Sequence, residues 1–293
     1  MDEAALRERV DTLLAEHPPA TTDRLDFLHA RFDAGLAWVH FPDGLGGLGL
    51  PRGLQPVVEK ALYAAGAPDN DPRRIGIGLG MAAPTILAFG TEEQKQRFLR
   101  PLWCGEEVWC QLFSEPGAGS DLAGLATRAV LDGDTWIVNG QKVWTSSAHI
   151  ADRAILVART DPDQPKHAGL SYFTVDMHDP GVEVRPLRQI TGEAEFNEVF
   201  LTDVRVPESD RLGAVGEGWK VANATLSHER VAIGGGAFPR EFGMVMKVAE
   251  TWRARPELRT PATHDRLLRG WVDTEVARVT ATRLRQKLAA GVP

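Results

Sequence analysis

The sequence predicts an α+β protein, with a middle antiparallel β domain between two helical domains. Residues 1–105 place apolar side chains at helical spacing, and the same period returns after residue 212. Residues 106–212 instead alternate short β-rich runs with Gly, Asp and Pro turns, and no helical crossovers separate these runs. The order of helices, strands and helices therefore predicts three domains: 1–105, 106–212 and 213–293.

The first domain is predicted from helical spacing and from helix-ending residues. Leu6, Val10 and Leu13 lie on one face of a predicted helix over Glu3–Glu16, and the prolines after His17 end it. Thr91 precedes acidic residues and predicts the N-cap of a helix that runs to Leu102. The remaining predicted helices are Leu25–Trp38, Gln55–Ala65 and Ile75–Phe89.

The middle domain is predicted from β-rich runs bounded by turns. Thr135–Val138 is followed by Asn139-Gly140, a pair that favours a tight hairpin turn. Four further runs are predicted as strands: Ala154–Ala158, Ser171–Val175, Asn197–Leu201 and Val204–Val206.

The third domain is predicted as three helices. One begins at Glu217, reaches about Ala237 and is broken by Pro239. A second runs to Trp252, and the last covers Asp265–Leu288. The last helix carries an apolar face that needs a packing partner, formed by Leu268, Val272 and Val279.

Composition excludes several classes of protein. The chain has 293 residues, 43% of them hydrophobic, and its net charge of -7 argues against nucleic-acid binding. No apolar run is long enough to span a membrane, and the first residues lack the pattern of a signal peptide. Two cysteines and eight histidines show no metal-ligand spacing, so we expect no metal site and a cytoplasmic location.

The Ser114–Asp121 loop is the first candidate for ligand binding. Its proline and two glycines exclude regular helix or strand, and small residues let backbone N–H groups approach a ligand closely. Ser114 and Ser120 add hydroxyl groups. A plain surface turn between strands is the alternative interpretation.

The Asn139–Ser147 segment is the second candidate. Trp144 is followed by Thr145, Ser146 and Ser147. An indole can cover a flat conjugated ring, and a neighbouring hydroxyl can donate to a ring nitrogen. The alternative is a core tryptophan beside polar residues at a strand end.

The two candidate segments together resemble the flavin-binding loops of the acyl-CoA dehydrogenase family. The resemblance runs from about Ala34 to Ala237, with further matching pieces in the family's order. These are Gly46–Gly49, Phe89–Lys95, Phe196–Phe200, Val204–Pro207, Gly216–Trp219 and His228–Arg230. The resemblance implies an N-terminal helical domain, a β-barrel-like middle domain and a C-terminal helical bundle. We expect that bundle to be incomplete in a chain that stops at Pro293.

The resemblance also implies FAD as cofactor and assigns roles to individual residues. Residues from Gln111 to Ser120 are expected to wrap the flavin, with Ser114 near its pyrimidine end and Ser120 where cofactor and CoA substrate meet. Trp144 is expected to pack on the isoalloxazine, Ser146 to hydrogen-bond near N5, and Arg230 to lie in the substrate channel. The cofactor-binding set is Gln111, Phe113, Ser114, Gly119, Ser120, Trp144, Thr145 and Ser146.

Glu229 is the candidate catalytic base. The family takes its base either from a late C-terminal glutamate or from a glutamate just before an arginine, and Glu229-Arg230 matches the second arrangement. Ala222, Leu226 and Ile233 share a helix face with Glu229, and an apolar environment raises the pKa of a carboxyl group. An ion pair between Glu229 and a nearby arginine is the alternative.

The predicted function is FAD-dependent α,β-dehydrogenation of an acyl-CoA to the trans-2-enoyl-CoA, with electrons passed to an electron-transfer flavoprotein. The functional state is expected to be a homo- or hetero-oligomer. Two alternatives stay open: a non-catalytic or half-site subunit of a heteromeric acyl-CoA dehydrogenase, and a flavin oxidase or monooxygenase of the same fold. The glycine-rich runs at Gly44–Gly49 and Gly76–Gly80 follow no strand, which argues against dinucleotide binding.

Overall fold

The computed structural model describes residues 2–234 and 243–289, except for the side chains of 230–234, 285, 288 and 289. The chain divides into two compact units, Met1–Leu226 and Ser227–Pro293. Division into three domains at residues 105 and 212 stays a prediction. The helices of the first unit are α1 (Glu3–Glu16), α2 (Arg24–Asp33), α3 (Gln55–Ala64), α4 (Ala83–Phe89) and α5 (Glu92–Cys104), and α6 (Gly218–Gly234) begins there.

Local sequence signals determine where the first helices begin and end. Helix α1 has the predicted bounds, because the Asp2 carboxylate caps its N-terminus by accepting from the Ala5 N–H at 2.9 Å. Thr91 is the N-cap of α5 as predicted, with Gln94 completing a capping box. Helix α2 ends at Asp33, earlier than predicted, because Gly35 follows with a φ of 72°.

The strands of the described residues form one mixed sheet. In chain order they are β1 (Trp109–Leu112), β2 (Arg128–Asp132), β3 (Thr135–Ser146), β4 (Arg153–Arg159), β5 (Leu170–Asp176), β6 (Val182–Leu187), β7 (Phe196–Pro207) and β8 (Arg211–Leu212). Their order across the sheet is β6-β7-β3-β2-β4-β5-β8, and β1 also pairs with β4. No pairing between described residues joins β6 to β8, so the sheet is open where a barrel-like form was expected.

The purely antiparallel prediction is wrong at strand β4. Strand β1 pairs parallel to β4, and β2 meets β4 in parallel at Arg128 and Arg159. Residues 113–152 connect β1 to β4, and a connection of that length can return the chain to the same end of a sheet. The absence of helical crossovers therefore did not exclude parallel pairs, because a loop and the β2–β3 hairpin make the return.

The predicted hairpin at Asn139-Gly140 is also wrong. The turn lies at Gly133, which has a φ of 65°, and β3 runs straight through the Asn-Gly pair. A register shift opposite β7 occurs there instead, between Val138 and Gly140. The Asn139 side chain exchanges two hydrogen bonds with Asp203, which has a φ of 53° within β7. The two strands predicted at Asn197–Leu201 and Val204–Val206 are parts of this single strand.

One hydrophobic core joins the helices of the first unit to the loop segments of the sheet. Buried residues of α2, α4 and α5 pack in the same cluster as Phe113, Ala118, Leu122 and Leu125. Val221 and Ala222 of α6 belong to this cluster too. The Ser114–Asp121 loop is therefore packed on its inner side, which limits the positions that it can take.

The second unit contains the end of α6, helix α7 (Met244–Ala254) and helix α8 (Pro261–Ala289). The predicted end of α6 near Ala237 and its break at Pro239 lie outside the described residues. The apolar face predicted on the last helix is about half exposed at Leu268, Val272 and Val279. Among the helices that the structure describes, none is long and apolar enough to cross a bilayer.

Gly140→Ala tests the close packing of β3. A Cβ at this position would lie 2.3 Å from Thr127 Oγ1 and 2.7 Å from Thr127 Cα. We expect the variant to lower the free energy of unfolding in urea by about 1–3 kcal/mol, as overpacking does. Gly53→Ala is the control: nothing lies within 4 Å of its added Cβ, and the change should stay within about 0.5 kcal/mol. Equal effects at the two sites would contradict this packing.

Candidate functional site

The two candidate segments are hydrogen-bonded neighbours. The Val143 N–H donates to the Ser114 carbonyl at 2.9 Å, which places the start of the Ser114–Asp121 loop beside the end of β3. Glu115 and Ala118 exchange two backbone hydrogen bonds of 3.0 Å, so the loop begins with a tight turn. Phe113 is buried and meets Tyr172 edge to face, with ring centroids 5.8 Å apart. Sequence segments about 25 residues apart thus form one surface.

A buried ion pair anchors the loop to the sheet. The Lys142 ammonium is fully buried and donates to the Glu115 carboxylate at 2.9 Å. Its other two hydrogen bonds go to the carbonyls of Phe113 at 3.0 Å and Val157 at 2.9 Å. All three donors of the lysine are therefore used.

The Glu115 carboxylate also has backbone hydrogen-bond partners. Its carboxylate accepts from the Ala126 N–H at 2.6 Å and from the Thr127 N–H at 2.9 Å, in addition to Lys142. The residue is 8% exposed. One carboxylate thus joins the start of the loop, the chain that follows the loop, and strand β3.

Burial and pairing shift the titration of both groups. Burial lowers the pKa of Lys142 to about 8, although the charge of Glu115 acts in the opposite direction. Burial opposes ionisation of Glu115 too. The attraction of Lys142 and the hydrogen bonds to the carboxylate outweigh that burial, so the pKa of Glu115 lies below its usual value.

The outer part of the loop offers free backbone donors. In the described residues, the N–H groups of Gly117, Gly119, Ser120 and Asp121 donate to no protein acceptor. Gly119 and Ser120 are exposed, and nothing lies within 4 Å of a Cβ added at Gly117 or Gly119. Such clustered N–H groups suit an anion or a carbonyl oxygen of a ligand.

Trp144 presents its indole at the surface. The side chain is 63% exposed, and the residue has a φ of 60° at the second register shift of β3. Phe196 supports the indole edge to face at 6.1 Å. A bulky residue in the left-handed region is strained, and such strain is concentrated at functional sites.

Thr145 is buried behind Trp144, while Ser146 is partly buried. Asn197 is fully buried, donates to the Thr145 carbonyl at 2.9 Å and lies 3.2 Å from His149 Nδ1. The Thr145 hydroxyl and the Asn197 carbonyl oxygen have no partner among the described residues. Unpaired buried polar atoms are rare, so this segment keeps hydrogen-bonding capacity that a ligand can use.

The remaining predicted residues are placed as follows. Gln111 is partly buried on β1, opposite Ile155 of β4, and Ser114 is partly buried at the loop start. Glu229 is partly buried on α6 and belongs to the second unit. The side chains of Arg230 and Ile233 lie outside the described residues.

Buried hydroxyl groups hold the part of α6 that precedes Ser227 within the first unit. Thr225 Oγ1 lies 2.9 Å from Thr85 Oγ1 and 3.0 Å from the Tyr172 hydroxyl. Ala222 is buried and Leu226 packs on the core, as the predicted helix face requires. Tyr172 also contacts Phe113, so the loop and the first half of α6 share a neighbour.

Three residues of the site were missed from the sequence: Lys142, Glu115 and Asn197. The strand alternation of Trp136 and Val138, both buried, indicates that even-numbered positions of β3 face inward. Lys142 has the same parity, and that signal could have identified it as a buried charge. Asn197 carried no comparable signal, because its partner depends on the register between β3 and β7.

A second group of polar residues lies away from these segments. The ligand-type atoms of His29, Cys104 and Glu106 lie within 4.8 Å of one another, although the sequence predicts no metal site. His29 Nε2 is 2.9 Å from Glu106, and burial together with Glu106 raises the pKa of the Cys104 thiol to about 12. The described contact within this group is the His29–Glu106 hydrogen bond, beside a buried thiol. The absence of a metal site stays a prediction.

Family comparisons agree with the fold. The models for the acyl-CoA dehydrogenase N-terminal domain and the acyl-CoA dehydrogenase middle domain match residues 2–106 and 110–204. These matches cover more than half of the chain and include both candidate segments. The protein belongs to the acyl-CoA dehydrogenase family, whose members are FAD-dependent oxidoreductases.

Individual relatives extend the comparison. Acyl-CoA dehydrogenase FadE34 of Mycobacterium tuberculosis is 48% identical over 80% of this chain and 32% of its own length. Acyl-CoA dehydrogenase IpdE1 of the same organism is 43% identical over 84% and 63%. The solved structure of the Tcur3481-Tcur3483 steroid ACAD matches with a TM-score of 0.73 and 29% identity, over 100% of this chain and 79% of that one. The chain thus spans less than two thirds of the two sequence relatives.

Lys142→Met tests the titration of the buried lysine. Between its folded pKa of about 8 and the ordinary value of 10.5, the folded protein binds fewer protons at Lys142 than the unfolded chain does. The contribution of Lys142 to the free energy of unfolding therefore rises with pH in that window, by about 3 kcal/mol. We expect urea titrations of the wild type to show this rise relative to Lys142→Met.

Lys166→Met is the control for that experiment. Lys166 pairs with Asp121 at 2.8 Å, and both side chains are at least half exposed. This variant should keep the pH dependence of the wild type. The difference in free energy of unfolding between the wild type and Lys142→Met should change from pH 8 to pH 10.5. A constant difference over this range would contradict the lowered pKa of Lys142.

Proposed function

We propose that this protein is an FAD-dependent acyl-CoA dehydrogenase that converts an acyl-CoA to the trans-2-enoyl-CoA. The single observation that carries the proposal is the hydrogen bond between Val143 and Ser114, which joins the two segments that resemble the family's flavin-binding loops. Family membership supports the same conclusion.

The residues present fit FAD. The free backbone N–H groups of Gly117, Gly119, Ser120 and Asp121 suit the polar atoms of the cofactor, and the exposed indole of Trp144 offers a flat surface to its ring. In this proposal Gln111, Phe113, Ser114, Gly119, Ser120, Trp144, Thr145 and Ser146 hold the flavin. When bound, FAD supplies an acceptor for the hydride that leaves the β carbon.

Glu229 is proposed as the base. Its carboxylate takes the proton from the carbon α to the thioester, and Ser120 and Arg230 contact the substrate. An α C–H is a weak acid, so the base needs a dry environment that raises its pKa. The apolar face shared with Ala222 and Leu226 supports this role for a residue of α6.

The acceptor and the oligomeric state are inferred from the family resemblance, and the location from the sequence. We propose an electron-transfer flavoprotein as acceptor, a homo- or hetero-oligomer as the functional state, and the cytoplasm as location. One structural neighbour is named the Tcur3481-Tcur3483 steroid ACAD. It motivates testing acyl-CoA substrates with a steroid side chain beside straight-chain ones.

The visible spectrum of the purified 293-residue chain tests the proposal. We expect a bound-flavin spectrum that bleaches anaerobically when an acyl-CoA is added. Glu229→Gln should keep the flavin and bleach about 10²–10⁴-fold more slowly, since general-base catalysis contributes that much. Glu250→Gln, an exposed change on α7, should bleach like the wild type.

Other outcomes of the same experiment separate the alternatives. A chain that stays colourless with added FAD indicates an incomplete site, which either further helices of the C-terminal bundle or a partner subunit would complete. Rapid oxygen consumption by the reduced enzyme identifies an oxidase or monooxygenase. Bleaching of Glu229→Gln at the wild-type rate shows that the base lies elsewhere.

Trp144→Ala tests the exposed indole. The side chain makes few contacts, so the free energy of unfolding without FAD should change by less than about 0.5 kcal/mol. Loss of ring stacking, worth about 0.5–1.5 kcal/mol, should raise the FAD dissociation constant by up to about tenfold. Tyr63→Ala removes an aromatic ring that is 88% exposed on α3 and should leave FAD binding unchanged. Unchanged FAD binding by Trp144→Ala would remove the indole from the site.

A further inference from the structure

We propose that Lys142 and Glu115 are positioning residues that fix the flavin-binding loop before the cofactor arrives. The proposal rests on the proposed function, because it concerns the same site. Neither residue is expected to touch the flavin, since Lys142 is fully buried and Glu115 nearly so. Their effect is transmitted through the backbone of the loop.

The contacts of Lys142 define the position of the loop start. Its ammonium reaches the carbonyl of Phe113 and the carboxylate of Glu115, the residues on either side of Ser114. Its third hydrogen bond goes to the Val157 carbonyl in the middle of β4. The backbone around Ser114 is thus held against β3 and β4 by one charged group.

The contacts of Glu115 define the chain after the loop. The two carboxylate oxygens accept from the Ala126 and Thr127 N–H groups, while the turn to Ala118 continues from its own backbone. Both ends of the segment from residue 115 to residue 127 therefore meet at one carboxylate. The free N–H donors of Gly117, Gly119, Ser120 and Asp121 lie between these two fixed ends.

A buried ion pair such as Lys142–Glu115 is not expected to add much net stability to the fold. Removing two charges from water is costly, and apolar replacements of buried pairs are often neutral or stabilising. Burial indeed lowers the pKa of Lys142, which shows that the charged form is disfavoured relative to the unfolded chain. What the pair provides is directed hydrogen bonding, which an apolar contact does not supply.

An exposed ion pair provides a matched comparison within the same loop. Asp121 at the far end of the loop pairs with Lys166, and both side chains are at least half exposed. Exposed pairs contribute little because water screens them. Lys142 is the partner of the buried loop residue Glu115, and Lys166 is the partner of the exposed loop residue Asp121. Replacing each lysine in turn therefore separates an effect on loop position from a general loss of positive charge.

The first test needs no cofactor. Residue-resolved hydrogen exchange of the FAD-free protein reports on the amides of Ala118, Ala126, Thr127 and Val143, all of which are hydrogen-bonded at the loop. We expect Lys142→Met to accelerate their exchange at least about a hundredfold, as loss of one partner of a buried pair does. Lys166→Met should leave these rates unchanged. Amides between β6 and β7 report on the whole sheet.

The double variant Glu115→Gln/Lys142→Met tests whether faster exchange comes from the loop alone or from unfolding of the whole sheet. It removes both charges, so no uncompensated charge stays buried and the sheet should remain folded. The loop amides should still exchange fast while the β6–β7 amides keep their protection. Equal acceleration of loop and β6–β7 amides, or protection of the loop amides in the double variant, would overturn the proposal.

The second test measures the FAD dissociation constant. We expect the double variant to bind FAD about ten- to a hundredfold more weakly, the range found when supporting residues around metal sites are changed. Wild-type affinity should fall as the pH rises through about 8, because neutral Lys142 has two donors for three acceptors. Glu115 is the charged group that faces Lys142 among its contacts, and its other two acceptors are carbonyls. The double variant should show no such step.

The two tests fail independently. If no variant and no wild-type sample binds FAD, the proposed function fails while the exchange result still decides the role of the pair. If FAD binds to the double variant as to the wild type, with the same pH profile, the pair is structural and the positioning role is wrong.

Discussion

The fixed hydrogen bonds of a buried ammonium group are the constraint on which the candidate site depends. Lys142 satisfies its three donors with two residues of the loop start and one of β4, so moving the loop would leave a buried charge unpaired. Such a loss is far costlier than the net gain from forming the pair, and this asymmetry restricts the loop to one position. The outer part of the loop can then keep backbone N–H groups without protein acceptors and still hold one position.

Strain is concentrated where the site faces outward. Trp144 and Ser147 both have a φ of 60°, and the register of β3 shifts at the same place. A regular strand would have kept Trp144 in the alternating pattern. The shift turns the indole to the surface, while Asn197 holds the Thr145 carbonyl behind it. The sheet thus supplies the rigidity, and its irregular positions supply the proposed binding surface.

Local signals made the helical parts of the sequence easy to predict. The bounds of α1 and the N-cap of α5 depend on residues within one turn of each helix end, so no distant contact was needed. The sheet was harder. An Asn-Gly pair that favours a hairpin in isolation lies inside strand β3, opposite a register shift whose extra residue is on β7 between Leu201 and Val204. Asn139 hydrogen-bonds to Asp203 there, and Thr127 leaves no room for a side chain at Gly140. Pairing partners distant in sequence outweighed the turn propensity.

The sequence by itself determined the fold class, the family resemblance and the two segments proposed to bind the flavin, because these depend on local periodicity and on the identity of neighbouring residues. Only the tertiary structure decided that Ser114 and Val143 are hydrogen-bonded, that β1 is parallel to β4, and that Lys142 is buried against Glu115. The physical reason is that the register of non-local strand pairs is set by packing across the whole sheet. The partner of a charged strand residue such as Lys142 can therefore be identified only when that register is known.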